Sequence, residues 1–193
     1  MGYDNALNKG WEELSSRASA PVKTVFLGQE YFLDPSSREC VSSSGGREKP
    51  YLSILLLHYA AAALKGIPRL EGKWISFREL PAGEFYYPAF RKRALEPLLA
   101  KYGKNPREAA AGLCRRLPGT AGELPEGDAC IVIEVFPGVP VKIVFWLADA
   151  EFAAEAVMLF DTTVGSIFCT EDIAVLGGRW RRTLPLPCSK KSV

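Results

Sequence analysis

Histidine occurs once in this 193-residue chain, at His58, and cysteine five times, at Cys40, Cys114, Cys130, Cys169 and Cys188, with no CxxC or CxxxC spacing. One imidazole and an odd number of scattered thiols fit neither a disulfide framework nor a zinc knuckle, nor an iron–sulfur site made by this chain alone. They point to a reduced, cytoplasmic protein. There is no nucleophile elbow, phosphate loop or nucleic-acid motif, so spacing rules name no reaction. Charge of one sign is also lacking: 24 basic residues stand against 22 acidic ones, and no whole-molecule field draws the chain to nucleic acid or an anionic membrane. The longest apolar run, residues 51–64, contains His58 and at about 14 residues falls short of the roughly 20 that a membrane span needs. The opening MGYDNALNKGWEEL has acidic residues and no apolar core, so no secretory signal is expected.

What is present suits one folded domain. With 48% hydrophobic and 24% charged residues, a chain of this length buries roughly 70% of its unfolded surface. Leu7, Trp11 and Leu14 repeat with helical spacing and predict an opening amphipathic helix. VKTVFLG, EYFLD and RECVS read as short strands around turns. PYLSILLLHYAAAALKG starts with Pro50, ends at Gly66 and is apolar on every side, which places this helix centrally, against a sheet. GKWISFREL alternates as an extended strand, with Trp74, Ser76 and Arg78 on one face and Ile75 and Phe77 on the other. Residues 86–102 predict an amphipathic helix ended by Gly103, and Asn105 caps a further short helix over 107–117 that breaks at Pro118-Gly119. Residues 119–127 form a connecting loop.

The most informative stretch is residues 129–161. Two nearly unbroken apolar strands, 129–136 and 141–148, flank Pro137-Gly138-Val139-Pro140, whose prolines are expected to stay in the turn of an antiparallel hairpin. Lys142 and Glu134 are its only charges and are placed to pair across the strands. A row of carboxylates follows: Asp149, Glu151, Glu155 and Asp161. Thr170 then reads as a helix cap, with Glu171 and Asp172 in the positive first turn. The expected architecture is a single α+β domain over 1–184, a mainly antiparallel sheet with helices packed on one side, and a disordered tail over 185–193.

Taken in order, LGQEYFL, ILLLHY, GKWISFREL, FWLADAEFAAEAVMLFD and TEDIAVLG resemble the family known as domain of unknown function 3786, found in anaerobic bacteria and archaea. The resemblance runs from about Phe26 to about Gly178. It implies a setting, anaerobic one-carbon or corrinoid-linked metabolism, with an iron–sulfur or corrinoid protein as the class of partner; some relatives join this domain to a cysteine-rich iron–sulfur segment that is not found here.

Any imidazole chemistry must use His58. Its apolar neighbours, with small residues at 60–63, suit an open coordination position for a tetrapyrrole such as corrinoid or haem; the alternative is a neutral core histidine bonded to a main-chain carbonyl. Tyr59, Trp74, Arg78 and Tyr86 are the further residues expected at a cofactor or small-molecule ligand, in a pocket between the aromatic stretch 72–90 and the His58 helix; the alternative is that these rings fill a core. Asp149, Glu151 and Asp161 are the candidate ligands of a hard cation or an acid/base set, against a reading in which Glu151 and Glu155 decorate a solvated helical turn and Asp161 caps the turn before Thr162 and Thr163. Arg91, Lys92, Arg93, Lys101, Lys104, Arg107, Arg115 and Arg116 form either a basic interaction surface or an ordinary solvated face. Three functions therefore stand side by side: a cofactor- or ligand-binding accessory protein, an enzyme using the carboxylates, and a protein-interaction module, with neither nucleic acid nor membrane as a partner.

Overall fold

In a computed structural model, which describes residues 3–107, 112 and 127–179, the described residues hold seven strands in two antiparallel sheets. The smaller is a meander of β1 (Val22–Phe26), β2 (Gln29–Asp34) and β3 (Glu39–Ser42). The larger has the order β4-β7-β6-β5, from β4 (Trp74–Ser76), β5 (Ala129–Phe136), β6 (Val139–Trp146) and β7 (Glu155–Asp161). Around them lie α1 (Asp4–Ser15), α2 (Pro50–Lys65), α3 (Gly83–Phe90), α4 (Glu96–Tyr102) and α5 (Thr170–Gly178). The α+β class expected from the sequence is the class found, with the antiparallel strands divided between two sheets.

One main-chain bond ties the sheets together. The β1–β2 hairpin closes through Leu27 and Gly28, both at positive φ (49° and 75°), the two-residue turn whose twist matches antiparallel strands. Leu27 holds this unfavourable conformation because its side chain is buried and its N–H donates to Val135 O of β5 at 2.8 Å. Behind both sheets, α2 buries Leu52, Ile54, Leu55, Leu56, Leu57, Tyr59, Ala60 and Ala61, as its all-round apolar sequence requires. Against it lies α1, through Trp11, Leu14 and Gly10; a Cβ at Gly10 would come within 3.1 Å of Leu57 Cδ1, so the close approach depends on glycine.

Several local expectations change. GKWISFREL is extended only over β4; a 3-10 turn over Phe77–Glu79 follows, because the Glu79 carboxylate accepts from Ser76 N–H at 2.7 Å and turns Phe77 into the core. The helix expected over 86–102 starts at Gly83 and is broken by a π turn over Arg91–Leu95, just ahead of Pro97, which has no N–H for the carbonyl four residues back. The β5–β6 turn is only Pro137-Gly138, so Val139 and Pro140 belong to β6. Pro140 is tolerated because it faces Glu134 where the register shifts, between Glu134 and Phe136. The expected Lys142–Glu134 pair is absent from that register: Lys142 faces Val132 and reaches over the Trp74 ring (4.7 Å), while the Glu134 carboxylate accepts from Gly138 N–H (2.7 Å). Outside the described residues lie most of the helix expected over 107–117, the break at Pro118-Gly119, nearly all of the 119–127 loop, Cys114, Arg115, Arg116, Cys188 and the 185–193 tail.

Candidate functional site

His58 is the one residue of the stretch 52–61 of α2 that is not buried, and its side chain keeps 28% of its surface exposed. Its partner comes from 114 residues further along the chain: Nδ1 lies 2.8 Å from Oδ2 of Asp172, a carboxylate only 7% exposed. Asp172 is placed by the start of α5. Cys169, not Thr170, is the capping residue of that helix, and its N–H donates to the same Asp172 Oδ2 at 3.2 Å, while its Sγ donates at 3.1 Å. Thr170 is displaced from the cap because its hydroxyl donates to Pro81 O at 2.7 Å, pinning α5 to the turn before α3.

Three donors therefore converge on one oxygen. The hydrogen bond to Asp172 raises the His58 pKa above its ordinary 6.5; burial opposes this, and the charges of Asp172 and Glu13 add to it. Burial pushes the Cys169 thiol up to about 11, with the Asp172 charge adding to the effect, so at neutral pH the sulfur is a protonated donor rather than a thiolate. Beside a carboxylate, Nδ1 of the neutral imidazole carries the proton, which leaves the lone pair on Nε2. Among the described residues, Nε2 has no hydrogen-bond partner.

The ring borders an open cleft of about 340 Å³ between the ends of α1 and α2, residues 66–68 and the turn at Ser166–Ile167. Glu13 and Lys65 line it and pair at 3.1 Å, and Arg17 also reaches Glu13 at 3.3 Å. The Lys65 bond is the main reason the Glu13 carboxyl is held below its usual range. Tyr59, Trp74, Arg78 and Tyr86 do not line this cleft. Tyr59 is buried, stacked on Phe136 with centroids 4.2 Å apart and donating to Pro137 O at 2.8 Å. Trp74 lies under Lys142. Arg78 stands over Tyr87 at 4.0 Å and pairs with Glu84, and Tyr86 meets Phe85 edge-on at the surface.

The candidate cation ligands Asp149 and Asp161 do not come together. Asp149 precedes β7 and Asp161 ends it, so the strand's length, roughly 20 Å, separates them. The Asp149 carboxylate accepts from Phe152 and Glu151 N–H (2.7 and 2.8 Å), which hold its pKa down. Asp161 accepts from Gly72 N–H (2.8 Å), Glu71 N–H (3.3 Å) and both the N–H (3.1 Å) and hydroxyl (2.7 Å) of Thr163. Burial pushes the Asp161 carboxyl up, but the bonds from Thr163, Glu71 and Gly72 outweigh it and its pKa falls. Asp161 thus caps the turn before Thr162 and Thr163, whereas Glu155 lies on a strand instead of a helical turn. Glu151 is exposed on the loop. Among the described residues, no three His, Cys, Asp or Glu side chains gather to hold a metal ion. Sequence reasoning missed Asp172 and Cys169 as members of the site; the one available signal, an acid three residues after a possible cap, reads as helix capping alone.

Among the described residues no helix is long and apolar enough to cross a membrane. No curated protein and no solved structure matches the chain. Residues 13–183, which include His58, Cys169 and Asp172, match the family model described as "Domain of unknown function (DUF3786)", and the chain belongs to that family.

Proposed function

We propose that this chain is a cytoplasmic accessory protein of anaerobic metabolism that binds a small ligand or a metal-centred cofactor through Nε2 of His58. The observation that carries this reading is the 2.8 Å bond between Nδ1 and the buried Asp172 carboxylate, with the opposite nitrogen unpartnered among the described residues at the edge of a cleft. A carboxylate behind an imidazole orients the ring, selects the tautomer and raises the basicity of the other nitrogen, the arrangement that metal-binding histidines use. The Cys40 thiol is buried and forms no disulfide among the described residues, in keeping with a reduced compartment.

The cleft limits what the ligand is. At about 340 Å³ it lies at the small end of ligand sites and admits a compact molecule whole, but only the edge of a corrinoid or haem. Nε2 of His58 would hold such a group as its single nitrogen donor, and the bound metal centre would supply the open coordination position. A tetrapyrrole would then rest partly on another surface, which agrees with a corrinoid protein as partner. Asp172 keeps the ring aimed, and the raised pKa makes a proton compete with the ligand for Nε2, so binding strengthens as pH rises through that pKa.

The test uses protein purified without oxygen, titrated separately with haem and with aquocobalamin and followed by absorbance. Wild type should show saturable spectral shifts, His58→Ala none, and Asp172→Asn an affinity weaker by roughly 10–100-fold. Identical spectra for wild type and His58→Ala with both probes would remove the tetrapyrrole version.

A further inference from the structure

At the far end of the larger sheet the chain leaves β6 at Trp146 and returns at Glu155, its register partner. The loop between them is tied down: Leu147 N–H donates to Asp128 Oδ2 at 2.7 Å, Asp149 N–H donates to Phe152 O at 3.0 Å, and the Asp149 carboxylate accepts from both Glu151 and Phe152. A loop fixed in this way nevertheless shows large apolar groups to solvent, with Phe152 69%, Trp146 42% and Leu147 41% exposed. They line a cleft of about 660 Å³ together with Asp128, Asp149 and Glu155. Among the described residues no lysine or arginine lines it; Arg107 bonds the main-chain oxygen of Asp128, at 3.1 Å.

Each property narrows the ligand class. Three acidic residues, with no lysine or arginine among the described lining residues, disfavour phosphates, carboxylates and nucleic acid. A hard metal ion needs six or more oxygens and retains water, whereas these walls are largely apolar and the described carboxylates do not gather as ligands. An indole face attracts a cation and gains most when the cation is weakly hydrated, as an alkylated ammonium or a guanidinium is. A volume of about 660 Å³ accommodates such a group with an apolar body attached.

We propose that this cleft is a binding site for a small organic cation, an ammonium or guanidinium borne on an apolar body. The cation lies against Trp146 within reach of Glu155 and Asp149, and the body packs on Phe152 and Leu147. This cleft shares no lining residue with the one beside His58, so the two proposals succeed or fail independently.

Benzyltrimethylammonium is the probe, with benzyl alcohol as its neutral counterpart, added to the full chain and followed through the indole N–H resonance of Trp146, assigned with Trp146→Phe. The expected result is a saturable shift that weakens with salt, an affinity at least ten-fold lower in Phe152→Ala and in Glu155→Gln, and an unchanged affinity in His58→Ala. Since Phe152 and Glu155 are exposed, neither replacement disturbs the core. Absence of a saturable shift, equal binding of benzyl alcohol, or affinity untouched by both replacements would overturn the proposal.

Discussion

Asp172 Oδ2 receives hydrogen bonds from an imidazole, a thiol and a main-chain amide at once. Replacement by asparagine keeps the shape and removes the charge. In Asp172→Asn the His58 pKa should fall back to about 6.5 or below, read from the ring proton signals of the only histidine in the chain, free of overlap from others. The linkage sign follows from the raised folded value: the pair's contribution to stability is fully present below pH 6.5, the unfolded value, and fades as pH rises through the higher folded pKa. Melting temperatures measured from pH 5.5 to 9 on wild type and His58→Gln should therefore differ most at the acid end. A second single-residue test lies in β1, where the Thr24 hydroxyl is buried without a hydrogen-bond partner among the described residues. Thr24→Val should stabilise by about 1 kcal/mol, measured by urea unfolding.

At the scale of elements, the approach of α3 to the turn before it is set by two backbone positions. Gly83 opens α3 with its Cα against the main-chain oxygen of Phe77, so a Cβ there would collide with backbone that cannot yield. Gly83→Ala should cost on the order of 3 kcal/mol in chemical denaturation. Its neighbour Ala82 has φ 57°, left-handed geometry that penalises a Cβ, and Ala82→Gly should stabilise by about 0.5–1 kcal/mol. The same scale explains which elements were readable. Leu7, Trp11 and Leu14 foretell α1 because helical spacing writes its buried stripe directly into the chain, and α2 follows from apolarity on all sides. Strand ends and caps were less legible. Pro140 reads as a turn residue until the shift opposite Glu134 releases it from donating, and Thr170 reads as a cap until its hydroxyl is taken by Pro81.

For the whole molecule, the two sheets and α2 meet around Phe136, which packs on Phe26 at 4.7 Å, stacks on Tyr59 and touches Phe168 at 5.7 Å. Together with the Leu27–Val135 bond this contact joins the sheets through one core. Phe136→Ala should cost about 3–5 kcal/mol, and fluorescence and circular dichroism should still report a single coincident unfolding transition. Separate transitions for the two sheets in this variant would show that the ring alone couples them and that the rest of the shared core does not. The dispersion of Asp149 and Asp161 is also a property at this scale, since a seven-residue strand lies between the carboxylates that the sequence sets close together.

Composition and periodicity by themselves determined the α+β class, the central place of the apolar helix and the uniqueness of His58, because burial patterns and residue counts are local and survive without knowledge of what packs where. Tertiary structure alone decided what His58 meets. A hydrogen bond across 114 residues leaves no spacing to read, and the acid that makes it had a sufficient local role in capping α5. The same holds for the cleft at Trp146 and Phe152: their exposure comes from a loop held by main-chain bonds, whereas in the sequence Trp146 belongs to an apolar strand.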